Sequence, residues 1–294
     1  MSLSGPREKL ARRKARELLA ELGIQSLPVD PFEIARKKRP EVLVVEQELP
    51  EEIYGACSYR NGRFVIAVST RCPTTGHRRF TAGHELGHYH MPGHVQVMFG
   101  GAQEWVVSKG GHFQPNADPV EREADFFASE LLMPEPLLKP LIRGRPGLAL
   151  VKSVAGKCEV SLTAAAITVA RLSGDPIAVL VSRDGVLEWP AFTPALNAYP
   201  WARVRVKGQW TPPRSCSARM AKSPGRVKGA EQMQGEGLLC EWFEGAPDSI
   251  KVTEEVVGLG EYGRVLTILR PDYLPDPDQE QERDWRQTRD RWTE

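Results

Sequence analysis

The chain has 294 residues, more than the roughly 100–200 of one domain, with 41% hydrophobic and 26% charged residues and 39 Lys+Arg against 38 Asp+Glu. That balance removes any general electrostatic case for a nucleic-acid partner, no run reaches the ~18 apolar residues of a membrane span, and the opening MSLSGPREKLARRK lacks the apolar core of a signal peptide. Five scattered cysteines without a CxxC spacing exclude a disulfide framework and a cysteine zinc knuckle, so a soluble protein of the reducing cytoplasm is expected.

In chain order, residues 7 to 23 place Leu10, Ala15, Leu18, Leu19 and Leu22 on one helical stripe, with Gly23 as the stop. Its opposite, basic face (Arg7, Lys9, Arg12, Arg13, Lys14, Arg16) reads as solvated rather than as an anion site. SLPVDPFEIARKK offers Asp30 as N-cap and Pro31 as the first residue of a second helix. IYGACSYRNGRFVIAVS reads as a hairpin with Asn61-Gly62 at its tip. RRFTAGHELGHYH predicts a helix, residues 91 to 119 a long polar, glycine-rich loop, and EREADFFASELLMP a helix burying Ala124, Phe127, Ala128, Leu131 and Leu132.

Prolines 134, 136, 140 and 146 mark a boundary. After it, LALVKSVAGKCEVSLTAAAITVARLSG reads as helix, turn and helix, the second capped by Ser161. PIAVLVSRDGVLEWPAF, WARVRVKGQW, GLLCEWFE, SIKVTEEVVGL and GRVLTILRP then alternate like strands, with Asp184-Gly185 in a tight turn. Between residues 203 and 228 eight Lys or Arg occur without an acid, in a context that reads as a solvated loop, and the last twenty residues are too charged to pack.

The chemistry concentrates in HELGH. On a helix His84 and His88 project from one face at a spacing that suits a single metal ion, and Glu85 beside them is placed to accept a proton from an activated water. A helix whose histidines merely satisfy buried hydrogen bonds is the competing reading. Two residues compete to be third ligand. His94 follows His88 by six positions, but Met91 and Pro92 stand where a ligand-returning turn needs glycine. Glu121, with Asp125 one turn on to support it, completes a two-His-plus-Glu set, while helical geometry turns Glu123 about 200° away into solvent.

These residues resemble a family. RRFTAGHELGHYH, then EREADFFASELLMP, preceded by PVDPFEIARK, resemble the ImmA/IrrE metallopeptidases over nearly all of residues 24 to 136. One departure is Gly83, where members often carry Ala before the first histidine. The resemblance implies an α+β fold with a zincin-like metallopeptidase domain at 1–134, a helix-turn-helix-like helical domain at 135–174, a GAF-like sensor domain at 175–276 and a charged tail at 277–294. It implies a metal held by His84, His88 and Glu121, Glu85 as catalytic base and Asp125 as support. The ion is zinc by donor chemistry, with manganese left open.

The implied activity is site-specific endoproteolysis of a helix-turn-helix transcriptional repressor, which switches on a DNA-damage, radiation or desiccation response. The implied partners are that repressor and a small molecule in the C-terminal domain. The reading of another class is a DNA-binding regulator with a structural metal, but SLTAAAITVARL offers bases few polar side chains, so direct DNA binding is disfavoured. The oxyanion-stabilising group is open among His112, Tyr54 and Tyr89, and His77 and His90 are read as non-catalytic.

Overall fold

The computed structural model describes residues 5–38, 40–100, 105–109, 118–142, 144, 146–203 and 208–277. The chain divides into two compact units, Ser2–Leu141 with Val154–Ala164, and Ile142–Ser153 with Ala165–Glu294. It is mixed α+β. Among the described residues no single helix is long and apolar enough to cross a membrane. All five cysteines are free.

The first unit begins with α1 (Pro6–Glu21) and α2 (Pro31–Lys37). Asp30 caps α2, its carboxylate accepting from the Phe32 N–H at 2.8 Å, while Pro31 fills the first position, where a missing N–H costs nothing. Strands β1 (Val42–Gln47), β2 (Ile53–Arg60), β3 (Arg63–Ser69) and β4 (Val106–Lys109) form one sheet in the order β1-β3-β2-β4, with β1 parallel to β3 and the other pairs antiparallel. The β2–β3 turn holds Asn61 at φ 50° and Gly62 at φ 75°, the left-handed pair that a two-residue hairpin requires.

Helix α3 (Thr75–His90) lies on β2 and β3 and packs on its other side against α5 (Pro119–Leu132). Ile34, Val42, Cys57, Phe64, Ile66, Val68, Ala82, Leu86, Phe127 and Leu131 form the core between these elements, joined by Ala11, Ala15, Leu18 and Leu19 of α1. The stretch expected to be one long loop contains α4 (His94–Phe99) and β4, short elements whose composition carries little periodicity. Helix α6 (Glu135–Leu138) follows, and this unit also takes the end of α7 (Leu148–Cys158) and the start of α8 (Leu162–Leu172), which Ser161 caps through the Ala164 N–H at 3.1 Å.

The basic face of α1 is not simply solvated. Arg12 and Arg16 reach Glu130 of α5, which is fully buried, at 3.5 and 3.0 Å, and Arg7 reaches Glu123 at 2.6 Å. Helix α5 is therefore covered by α3 on one side and α1 on another, which is why its buried set extends from Glu123 to Leu132 well beyond one stripe.

The second unit carries β5 (Ala178–Arg183), β6 (Val186–Phe192), α9 (Cys216–Ala221), α10 (Pro224–Lys228), β7 (Gln232–Leu238), β8 (Lys251–Gly258) and β9 (Arg264–Pro271). Its strands make an antiparallel sheet in the order β6-β5-β9-β8-β7. Asp184 and Gly185, both at positive φ, turn β5 into β6 as expected. Two expectations fail here. GLLCEWFE ends β7 and then coils into a 3-10 turn at Leu239–Glu241, burying Leu239, Trp242 and Phe243. The later part of the basic stretch contains α9 and α10, and the acid that anchors α9 is distant in sequence: Glu254 on β8 accepts from the N–H groups of Cys216 and Ser217 at 2.8 and 2.7 Å. WARVRVKGQW includes residues 204–207, and the tail beyond 277 likewise lies outside the described residues.

The approach of α3 to α5 depends on small residues. A Cβ at Gly87 would sit 3.1 Å from Ala124 Cα and 3.2 Å from its carbonyl oxygen, whereas one at Gly83 would rest at an ordinary 3.4 Å from Ala128 Cβ. Gly83→Ala should therefore fold as well as or better than wild type, since alanine is worth up to ~1 kcal/mol over glycine inside a helix. Gly87→Ala should lose about 1–3 kcal/mol by overpacking, despite the same helix gain. Urea unfolding of the two variants checks the contrast. The same measurement on Glu130→Ala should show a loss of about 1–3 kcal/mol, since hydrogen bonds from two arginines to a buried carboxylate are removed, while Arg13→Ala leaves the midpoint in place.

Candidate metal centre

Two helix starts place the donors. Thr74 caps α3 by accepting from the His77 N–H at 3.1 Å, and three turns later His84 and His88 emerge on the face toward α5. Asp118 caps α5 through the Val120 N–H at 2.8 Å, which puts Glu121 in the first turn. One ligand atom each from His84, His88 and Glu121 lies within 4.8 Å of the others. The His84 and His88 Nε2 atoms are 3.0 Å apart, and Glu121 Oε2 and Oε1 lie 3.1 Å from His84 Nε2 and 3.5 Å from His88 Nε2.

Both imidazoles are almost fully buried, while the Glu121 side chain is 37% exposed, so the cluster opens toward solvent at its carboxylate. The donor set is one that zinc accepts: two nitrogens and one carboxylate oxygen, close enough together for one ion to be shared among them. Asp125, one turn after Glu121, accepts from His84 Nδ1 at 2.9 Å and so turns the lone pair of Nε2 toward the cluster.

The electrostatics differ between the two histidines. Burial disfavours the cation at His84, but the hydrogen bonds to Asp125 and Glu121 override it and raise its pKa to about 10. Burial, followed by repulsion from His84 and His94, holds His88 well below the ordinary imidazole range. A metal ion held by these residues would take the place of the proton on His84, so its binding would release that proton.

Glu85 is completely buried on the side of α3 that faces β2. Its Oε1 would lie only 2.5 Å from a Cβ at Gly55, so the carboxylate occupies space that any side chain at position 55 would fill. Cys57, two residues along β2 on the same face, has its thiol pushed up by burial and by the Glu85 carboxylate, which is also its hydrogen-bond partner.

Glu123 is not in solvent: it is 2% exposed, and α1 and α4 supply its partners Arg7 at 2.6 Å and His94 at 3.3 Å. The helical-wheel reading failed there because it assumed one buried face, whereas α5 is covered on several. His94 is itself buried, with Nδ1 3.1 Å from Nδ1 of His88, the nitrogen turned away from the cluster. His90 stacks on Phe127 and is driven by burial to a pKa of about 4, which fits a packing role. His77 lies against the ring of Tyr54, and Tyr89 packs on Phe64. His112 lies outside the described residues. Sequence reasoning missed Gly55, which no motif marks, and the Glu123–His94 contact. The signal for the second was present in Pro92-Gly93, a turn that returns the chain sharply after α3.

Residues 37–169 match the model of the peptidase M78 family, described as an IrrE N-terminal-like domain. No curated protein sequence matches the chain. A Mycobacterium tuberculosis protein described as a transcriptional regulator has a similar structure, with a TM-score of 0.57 over 94% of this chain and 83% of that one, at 14% identity. At that identity the likeness concerns the fold alone. The stretch that resembles an IrrE N-terminal-like domain of the peptidase M78 family, residues 37–169, therefore includes His84, His88 and Glu121.

Proposed function

We propose that the chain is a zinc-dependent, site-specific endopeptidase that cleaves a helix-turn-helix transcriptional repressor and so switches on a response to DNA damage, radiation or desiccation. The observation that carries the reading is the buried Glu85 carboxylate on the same helix turn as His84, beside a cluster able to hold one metal ion. The peptidase M78 match supports hydrolysis, and the description of the M. tuberculosis protein as a transcriptional regulator supports a role in gene control.

In this mechanism His84, His88 and Glu121 hold the ion and Asp125 orients His84. Bound zinc polarises a scissile carbonyl and lowers the pKa of water. Glu85 accepts the proton of the attacking water and returns it to the leaving amine. The packing of Glu85 under β2 limits its movement, so its carboxylate meets the substrate already positioned. The C-terminal unit, with α9 and α10 packed on an antiparallel sheet, would serve as a GAF-like sensor that holds a small ligand. The alternative, a DNA-binding regulator with a structural metal, requires an accessible recognition helix, yet no residue of α8 from Leu162 to Leu172 is exposed.

Incubating the purified protein with candidate repressors, with and without chelator, should give one discrete, chelator-sensitive cut. Glu85→Gln should keep its zinc and cleave about 10²–10⁴-fold more slowly, whereas Glu121→Gln should lose the metal. A Glu85→Gln protein that still cleaves sinks the mechanism, and one that supports the stress response in cells favours the regulator. Gly55→Ala separates position from chemistry. Its new Cβ would displace Glu85 and press on Thr81, 2.6 Å away, so cleavage should fall about 100-fold while zinc content stays at one ion per chain.

A further inference from the structure

We infer that His94 and Glu123 form a second orienting arm of the metal centre, fixing His88 in the tautomer that presents Nε2 to the ion, with Arg7 of α1 steadying its far end. The inference rests on the reading of His84, His88 and Glu121 as the metal ligands.

The arm can be followed proton by proton. An arginine only donates, so Arg7 Nε donates to Glu123 Oε1 at 2.6 Å. The other oxygen of Glu123 is an acceptor, and at 3.3 Å it takes the hydrogen on His94 Nε2. A neutral imidazole protonated at Nε2 has its lone pair at Nδ1, and His94 Nδ1 lies 3.1 Å from His88 Nδ1. His88 must then donate from Nδ1, which leaves its lone pair on Nε2, the nitrogen facing His84 Nε2 and Glu121. The opposite arrangement would put a hydrogen where the ion belongs.

Burial makes these bonds hard to replace. His88, His94 and Glu123 are each 2% exposed or less, so none has ready access to water as a substitute partner. The chain is also bent to make the contact. Met91 is extended ahead of Pro92, Gly93 takes φ 86°, and α4 starts at His94, which brings that ring back to His88 six residues after it. The turn after α3 thus delivers a histidine to the rear nitrogen of a ligand and not to the ion. Three acids of the first turns of α5 then have three tasks: Glu121 faces the cluster, Asp125 sets His84 directly, and Glu123 sets His88 through His94.

The test is zinc affinity, measured on the full-length apoprotein by competition with a chromophoric chelator. His94→Leu removes the acceptor and should bind zinc about 10- to 100-fold more weakly. His94→Asn, whose side-chain oxygen can take the place of Nδ1 as acceptor, should stay close to wild type, which a purely space-filling role would not predict. Glu123→Leu should lose affinity in the same direction and serves as the readout if His94→Leu does not fold. Wild-type affinity in His94→Leu or Glu123→Leu, or a His94→Asn as weak as His94→Leu, overturns the arm. A wild-type protein that binds no zinc, or that is unaffected by His84→Ala, instead overturns the metal-site reading beneath it.

Discussion

Helices α3 and α5 meet through Gly83 and Gly87 on one side and Ala124 and Ala128 on the other, and at Gly87 an added methyl would press on the backbone of Ala124. The ligand set requires this close packing. Imidazoles at His84 and His88 are short, and so is the reach of Glu121, so a separation set by larger side chains would pull the donors apart. The same approach brings Asp125 within hydrogen-bond distance of His84. A backbone contact of small residues is thus the mechanical basis of a polar site. Gly83 is not held to the same constraint: an added methyl would meet Ala128 at an ordinary contact distance.

Around that seam the buried polar groups are arranged in pairs. Glu130 is matched by Arg12 and Arg16, Glu123 by Arg7 and His94, and Asp125 by His84. Charges without partners at this depth would cost several kcal/mol each, so the helices that bring them in must also bring their counterparts. Helix α1 performs this service for α5. It covers α5 with an apolar stripe and arginines that reach two of its acids.

Much of this was legible in the residues themselves. Asp30-Pro31 announced α2, Asn61-Gly62 and Asp184-Gly185 announced two hairpins, and Ser161 announced α8, because caps and tight turns are chemistry within four residues of chain. The spacing of His84 and His88 was readable for the same reason: four helical residues return to one face. What failed was long in range. Helix α9 takes its anchor from Glu254, α4 is defined by the contact of His94 with α3 and α5, and Glu123 is buried by partners more than a hundred and nearly thirty positions away.

Sequence by itself determined which atoms were available: two imidazoles on one helical face, a carboxylate between them in sequence, and a second helix bearing acids at 121, 123 and 125. Tertiary structure decided what each acid does. A helical wheel assigns directions around an axis, but whether a direction leads to solvent, to a ligand or to another histidine depends on which elements lie across from it, and those are chosen by packing. For the same reason Gly55 carried no signal until β2 was laid against α3, where the absence of a side chain became the space that Glu85 occupies.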